Sequence, residues 1–366
     1  MKHLDKQDLI DILHGCAVLG TGGGGELDEG FEYLDRAFAA NKPFRLVSLD
    51  EAPDEALICT PYMLGAISPM PPEQEAQYRR LPQSGEPPID TAYRRLSQYL
   101  GQPFYGTVCC ELGGSNTAIS FYVAAMNDGM IIDADPAGRA VPEITHSTYY
   151  LNDLPAAPIV AANEFGECFV LEQVVDDQRA ETLVRALSMV SRNDIAAIDH
   201  ALPVSQLRSA LIPGTISKAL ALGKALRLAK EEGSDVAVAI AEHGQGRVVF
   251  RGQVSEFDWR TEGGFTLGEV SIDGSGEFQS HDYRIDIKNE NLAGWLDGQL
   301  HATIPELLCL IDLDKGEPVL NPNHRVGMNV AVVILPAPAA FVTERGLAAF
   351  GPSYLGLDRP FTPVLD

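Results

Sequence analysis

A chain of 366 residues, 45% hydrophobic and 21% charged, is long enough for two domains and excludes the disordered and fibrous classes. Its 27 basic against 51 acidic residues leave a formal charge of -24, which opposes partnership with nucleic acid or an anionic membrane surface. The opening MKHLDKQDLIDIL breaks every apolar pair with charge, and no uncharged run reaches the roughly 18 to 20 residues of a membrane span. A soluble cytoplasmic protein is the expectation.

In chain order, residues 5–19 carry apolar positions at helical spacing, and FEYLDRAF repeats that spacing. Between these two helices lies GTGGGGELDEG. A phosphate loop would join a strand to a helix and be followed by Lys-Ser/Thr, whereas here a helix precedes and Glu26, Asp28 and Glu29 follow. Four successive glycines, Gly22 to Gly25, are conformationally costly, so their expected use is close approach of backbone to a small ligand, with Glu26 beside it.

Strand-like runs follow at FRLVSL, EALICTPYML, FYGTVCCEL, GMIIDAD, PIVAAN and CFVLEQV, separated by helical stretches at 88–100 and 115–127. This alternation predicts an α/β domain over residues 1–175 with largely parallel strands covered on both faces. The proline-rich segment 65–87 reads as a loop or lid.

Within that domain, Glu111 ends an apolar strand, Gly113 and Gly114 permit a sharp turn, and Ser115 or Asn116 caps the next helix. GMIIDAD repeats the construction, with Asp133 and Asp135 two residues apart and so expected on one face. Ligands of open α/β sheets bind outside the carboxyl ends of strands, which would gather Glu111, Asp133 and Asp135. Such carboxylates hold a divalent cation, raise one another's pKa for acid-base work, or receive an arginine, here Arg139. Glu143 and His146 suit the first of these. The expected catalytic set is therefore Asp133, Asp135, Glu111 and Glu143, with Asp133 or Asp135 as base. Gly22, Gly23, Gly24, Gly25, Glu26, Gly113, Gly114, Asn116 and Arg139 are expected to bind substrate. No residue is assigned to a metal, although a divalent ion fits one of the three readings.

Residues 176–366 change texture. QRAETLVRALSMVSR and GTISKALALGKALRLAKEEG read as helices, and RVVFRGQVSEFDW, FTLGEVSI, DYRIDIKNE, LLCLIDL and NVAVVIL as strands of a small antiparallel sheet or barrel. The six cysteines lack metal or disulfide spacing, and at most one of Cys109 and Cys110 can face a site beside Glu111. His200, His243, His281, His301 and His324 sit in polar or turn-like surroundings and read as surface residues.

Six ordered motifs, GTGGGGELDEG, ELGGSN, DADPAGRAVPE, GGFTLG, IKNENLAGWLDG and HRVGMNVAVVILPAP, together resemble the S-methyl thiohydantoin desulfurase-like family from about residue 10 to residue 357. The resemblance implies a three-layer α/β sandwich followed by a helical segment and a β-barrel-like domain. It also implies hydrolysis of an S-methylated thiohydantoin to a hydantoin and methanethiol. A non-catalytic hydantoin-binding protein or hydantoinase-associated subunit would use the same pocket. A small molecule is the expected partner, and a homo-oligomer the expected assembly, with the apolar stretch PAPAAFVTERGLAAFGPSYLGL as cover for sheet edges.

Overall fold

The computed structural model describes residues 1–365. Its first part comprises β1 (Lys2–Leu4), α1 (Lys6–Leu19), α2 (Leu27–Ala39), β2 (Phe44–Val47), β3 (Leu57–Gly65), α3 (Pro72–Tyr78), α4 (Pro88–Leu100), β4 (Gly106–Thr107), α5 (Gly114–Met126), β5 (Met130–Ile132), β6 (Ala134–Asp135), α6 (Thr148–Leu151), β7 (Ile159–Ala162) and β8 (Cys168–Leu171). It continues with α7 (Asp177–Met189), β9 (Asp194–Pro203), α8 (Val204–Leu207) and β10 (Ile212–Pro213). Local chemistry sets the helix ends. Asp5 and Asp8 form a reciprocal capping box on α1. Proline opens α4, and Gly101, in the left-handed region at φ 70°, closes it.

Eight strands form one mixed sheet in the order β1-β2-β5-β4-β3-β9-β7-β8. Only β2, β5, β4 and β3 run parallel; β9 is antiparallel to both β3 and β7, and β8 to β7. The expectation of a largely parallel sheet fails here for a simple reason. The short connection between β7 and β8 allows only a hairpin. The sheet also draws β9 from beyond residue 175.

Alternation sends Val160, Ala162, Ala196 and Ile198 to a core beneath α1, α2, α4 and α5. Ile159, Ala161, Ile195 and Ala197 pack on the opposite side against Ala180 and Val184 of α7. The sheet is thus covered by helices on both faces.

The remaining elements are α9 (Thr215–Glu232), α10 (Val236–His243), β11 (Arg247–Glu262), β12 (Phe265–Gly274), β13 (Asp282–Lys288), β14 (Glu290–Leu296), β15 (Gln299–Thr303), β16 (Leu307–Asp312), β17 (Glu317–Pro318), β18 (Asn329–Leu335) and α11 (Glu344–Phe350). Antiparallel pairing orders the second sheet β15-β14-β13-β12-β11-β18-β16-β17. Among the described residues its ladder does not return from β17 to β15.

The two parts share one core. Ile216, Leu222 and Leu226 of α9 join α1, α5 and the inner faces of β16 and β18 in a single apolar cluster. Helices α1 and α9 cross where Gly15 meets Ala219 and Gly223 meets Asp11; a Cβ on either glycine would strike the partner's carbonyl. Phe341 and Phe350 of the C-terminal stretch are fully buried against Leu292 and Ile304 of the same chain.

Candidate active site

The α/β sheet and the second sheet together enclose a cavity of about 300 Å³ between β3, β9, the glycine loop and the start of β14. This is the lower end of the range for small-molecule sites.

Glu111 follows β4 and lines the cavity, 6% exposed. Asn116 Nδ2 donates to its Oε1 at 2.7 Å, and the Val141 amide donates to its Oε2 at 2.7 Å. Asn116 is fixed in turn by both main-chain groups of Met63 at the end of β3. Burial outweighs these two donors and raises the Glu111 carboxyl to about 7. Glu290, 2% exposed, lines the same cavity, and its Oε2 has no partner among the described residues. Burial and the charge of Glu111 push its carboxyl well above the usual range.

On β9, among the other lining residues, His200 Nδ1 lies 2.8 Å from Asp199 Oδ1, and Asp199 Oδ2 accepts from the Tyr62 hydroxyl at 2.8 Å. The His200 ring stacks on Tyr149, whose hydroxyl lies 3.1 Å from Thr60 Oγ1. His200 Nε2 is buried without a partner among the described residues. The β3–β9 register explains the arrangement. Ile58 pairs with Leu202 and Thr60 with Asp199, so β9 holds one extra residue there, and His200 adopts φ 41°. A bulge of this kind re-aims a side chain and is common beside active sites.

Of the residues expected to form the site, Gly24, Gly25, Glu26, Glu111, Asn116 and Glu143 line the cavity. Glu143 is bound by Lys288 Nζ at 2.7 Å and the Tyr354 hydroxyl at 2.5 Å. Burial alone would raise its carboxyl, but His146, Lys288 and Tyr354 outweigh it and hold the pKa low. His146 itself is packed between the rings of Phe350 and Tyr354, and burial lowers its pKa to about 3.

Asp133, Asp135 and Arg139 are placed otherwise. Strand β5 ends at Ile132, and β6 pairs with β10 in a separate two-stranded sheet, so two-residue alternation does not carry from Asp133 to Asp135. The Asp133 oxygens accept from the Ser217 amide at 3.0 Å and hydroxyl at 2.6 Å, holding the first turn of α9. Asp135 is buried beneath its own turn and accepts from the amides of Ala137 and Gly138. Fully buried Arg139 donates to Thr21 Oγ1 and to the carbonyls of Ala140, Asn291, Pro305 and Glu306. It ties the glycine loop to the second sheet. Burial lowers its pKa to about 10, and it remains a cation at neutral pH.

The glycine run is largely explained by the protein itself. A Cβ would meet the Asn321 side chain at Gly22, the Glu290 carboxylate at Gly23, the Gly113 backbone at Gly24 and the Ser115 side chain at Gly25. Gly22, Gly24 and Gly25 also have φ of 93°, 78° and 81°. The Ser115 and Asn116 amides both donate to the Gly24 carbonyl at 3.1 Å, so the loop occupies the start of α5.

Several lining residues escaped sequence reading: Asp199, His200, Tyr62, Tyr149, Glu290 and Arg185. His200 and His324 are buried, not on the surface as their polar neighbours suggested. The apolar strand before Asp199 was a usable signal, parallel to the one before Glu111. Cys110 reaches the cavity while Cys109 is in the core; burial and Glu111 push the Cys110 thiol well above its ordinary pKa. Among the described residues, no group of three or more His, Cys, Asp or Glu side chains is arranged to hold a metal ion. Nor is any helix among them long and apolar enough to cross a membrane.

Two family models cover nearly the whole chain: the S-Me-THD-like N-terminal domain over residues 7–173 and the S-Me-THD-like C-terminal domain over residues 175–364. The chain belongs to the S-Me-THD-like family. This is the family that the six motifs resemble, and membership links the chain to desulfurase and hydrolase chemistry in general. A crystal structure of a protein from Chromobacterium violaceum is similar over 100% of both chains, at 25% identity and a TM-score of 0.76. No curated protein matches.

Proposed function

We propose that this S-Me-THD-like protein hydrolyses a small cyclic amide-like metabolite, a thiohydantoin carrying an S-methyl group, in the cavity between Glu111 and His200. The observation that carries the reading is a convergence. A histidine nitrogen backed by an aspartate, a carboxyl raised to about 7 and a second buried carboxyl raised well above its usual range all line one cavity of metabolite size.

His200 Nε2 takes a proton from water as the water oxygen bonds to the ring carbon that bears sulfur. Asp199 keeps the Nδ1 proton in place and stabilises the imidazolium that forms. Glu290, as an acid, donates to the ring nitrogen as the C–N double bond opens. The tetrahedral carbon then expels methanethiolate, which takes a proton from His200. The new oxygen loses its proton to Glu290, leaving the hydantoin carbonyl. Water thus supplies one oxygen and two protons, divided between hydantoin and methanethiol, and both groups return to their starting states. Glu111, oriented by Asn116 and the Val141 amide, positions the attacking water. Arg139 has no direct part; it holds the loop against which Glu290 packs.

Incubating the purified chain with S-methyl thiohydantoins and measuring released thiol tests the reading. Turnover lost in His200→Asn supports it. Tight binding without turnover would instead make the chain a metabolite-binding protein or a hydantoinase-associated subunit.

A further inference from the structure

We infer that Tyr62 is a positioning residue: its hydroxyl fixes Asp199, and through Asp199 it holds the His200 ring with the proton on Nδ1 and the lone pair on Nε2. The inference rests on the role given to His200 above and adds a residue that acts through another side chain.

Strand geometry brings these groups together. Thr60 and Tyr62 lie two apart on β3 and so share a face, and the register sets Thr60 across from Asp199 and Tyr62 across from Ala197. Asp199 is therefore the diagonal neighbour of Tyr62, a separation that a long aromatic side chain spans. The Tyr62 hydroxyl donates to Asp199 Oδ2 at 2.8 Å, and Oδ1 lies 2.8 Å from His200 Nδ1. Thr60, although directly opposite Asp199, has its hydroxyl on Tyr149 at 3.1 Å. Each Asp199 oxygen thus has one side-chain partner among the described residues, and Tyr62, Asp199 and His200 are all buried.

A carboxylate only accepts, so the ring nitrogen facing Oδ1 must donate, which leaves Nε2 unprotonated in the neutral ring. Tyr149 covers one face of that ring, with centroids 4.1 Å apart and planes at 23°. Stacking of this kind still allows the imidazole to turn in its own plane, so the choice of nitrogen falls to Asp199. An aspartate free to rotate would lose its hold on Nδ1. The bond from Tyr62 to the second oxygen prevents that rotation. Burial and the charge of Asp199 push the Tyr62 hydroxyl well above its ordinary pKa, which keeps it a donor.

Steady-state kinetics and ¹⁵N-histidine NMR of the full chain test the inference. Of its eight histidines, His200 is the one whose signal is missing from His200→Asn. Tyr62→Phe should lower kcat about tenfold with little change in KM, the effect of losing a hydrogen bond to a charged group. Its His200 signal should titrate about 0.5 pH unit or more above that of the wild type, because Asp199 without the phenol holds the imidazolium more tightly. Cys59 of β3, Cys110, Tyr149 of α6 and Asp177 of α7, the other titratable groups around this pair, are common to both proteins. In an Asp199→Asn background, Tyr62→Phe should change kcat by less than about twofold. That comparison leaves no buried charge unpaired and serves even if Tyr62→Phe alone does not fold. An unchanged kcat, a raised KM at constant kcat, an unmoved His200 signal or a full tenfold loss in the Asp199→Asn background would each overturn the inference. No turnover by the wild type, with the NMR shift in Tyr62→Phe intact, would sink the hydrolysis reading alone.

Discussion

Asp199 and His200 are sequence neighbours that face the same cavity, with Oδ1 and Nδ1 2.8 Å apart. Regular strand alternation would send them to opposite faces. The extra residue in β9 removes that constraint, and His200 Nε2 is left buried without a partner among the described residues. His200→Asn should lower turnover by about 10² to 10⁴ with little change in KM, as expected for loss of a base acting in the transition state. Steady-state kinetics with circular dichroism as a folding control measures this.

Asp133→Asn should leave turnover nearly unchanged and destabilise the fold by about 1 kcal/mol. Its carboxylate holds the first turn of α9 through Ser217, a cap-like role of that size. Urea denaturation and activity, measured on the same preparation, separate this from the base role that the acidic motif suggested.

Glu111→Gln should change the pH dependence of stability. Burial raises this carboxyl in the folded state from 4.5 to about 7. The wild type therefore keeps its full contribution below about pH 4.5 and loses it as pH rises through 7, because the folded state must then release a proton it holds more tightly than the unfolded chain does. The variant lacks that loss, so its stability relative to wild type should improve between pH 5 and pH 8, by on the order of 3 kcal/mol at most. Unfolding curves at those two pH values give the difference.

Gly23→Ala should destabilise the protein without any ligand, by about 2 kcal/mol or more, since the added Cβ meets the Glu290 carboxylate. Thermal melts of the ligand-free chain check it. A role confined to ligand contact predicts no change there.

Glu111 was legible because a carboxylate after an apolar strand is conspicuous within one short segment. The caps and turns around α1 and α4 were legible for the same reason. The cap of α5 was not: the helix starts from Gly113 with no side-chain cap, and Asn116, expected with Ser115 as a cap, turns its amide to Glu111 and Met63. Asp133 and Asp135 lie apart from the cavity lining because the chain leaves β5 after Ile132 and β6 pairs with Ile212–Pro213, a partner far along the chain. His200 was hidden by two non-local facts: β9 inserts between β3 and β7, and a bulge aims the ring. Glu290 and Arg139 required knowing that the start of β14 meets the glycine loop. The glycines were read as a close approach to a small ligand; the groups that crowd Gly22 and Gly23 are the protein's own Asn321 and Glu290.

Hydrolysis of an S-methyl thiohydantoin in ¹⁸O-labelled water, followed by mass spectrometry of the hydantoin, tests the central claim most directly. The site described predicts one labelled oxygen per released methanethiol, with both signals lost in His200→Asn and kept in Asp133→Asn. Unlabelled hydantoin, or undiminished labelling in His200→Asn, would contradict water attack assisted by His200.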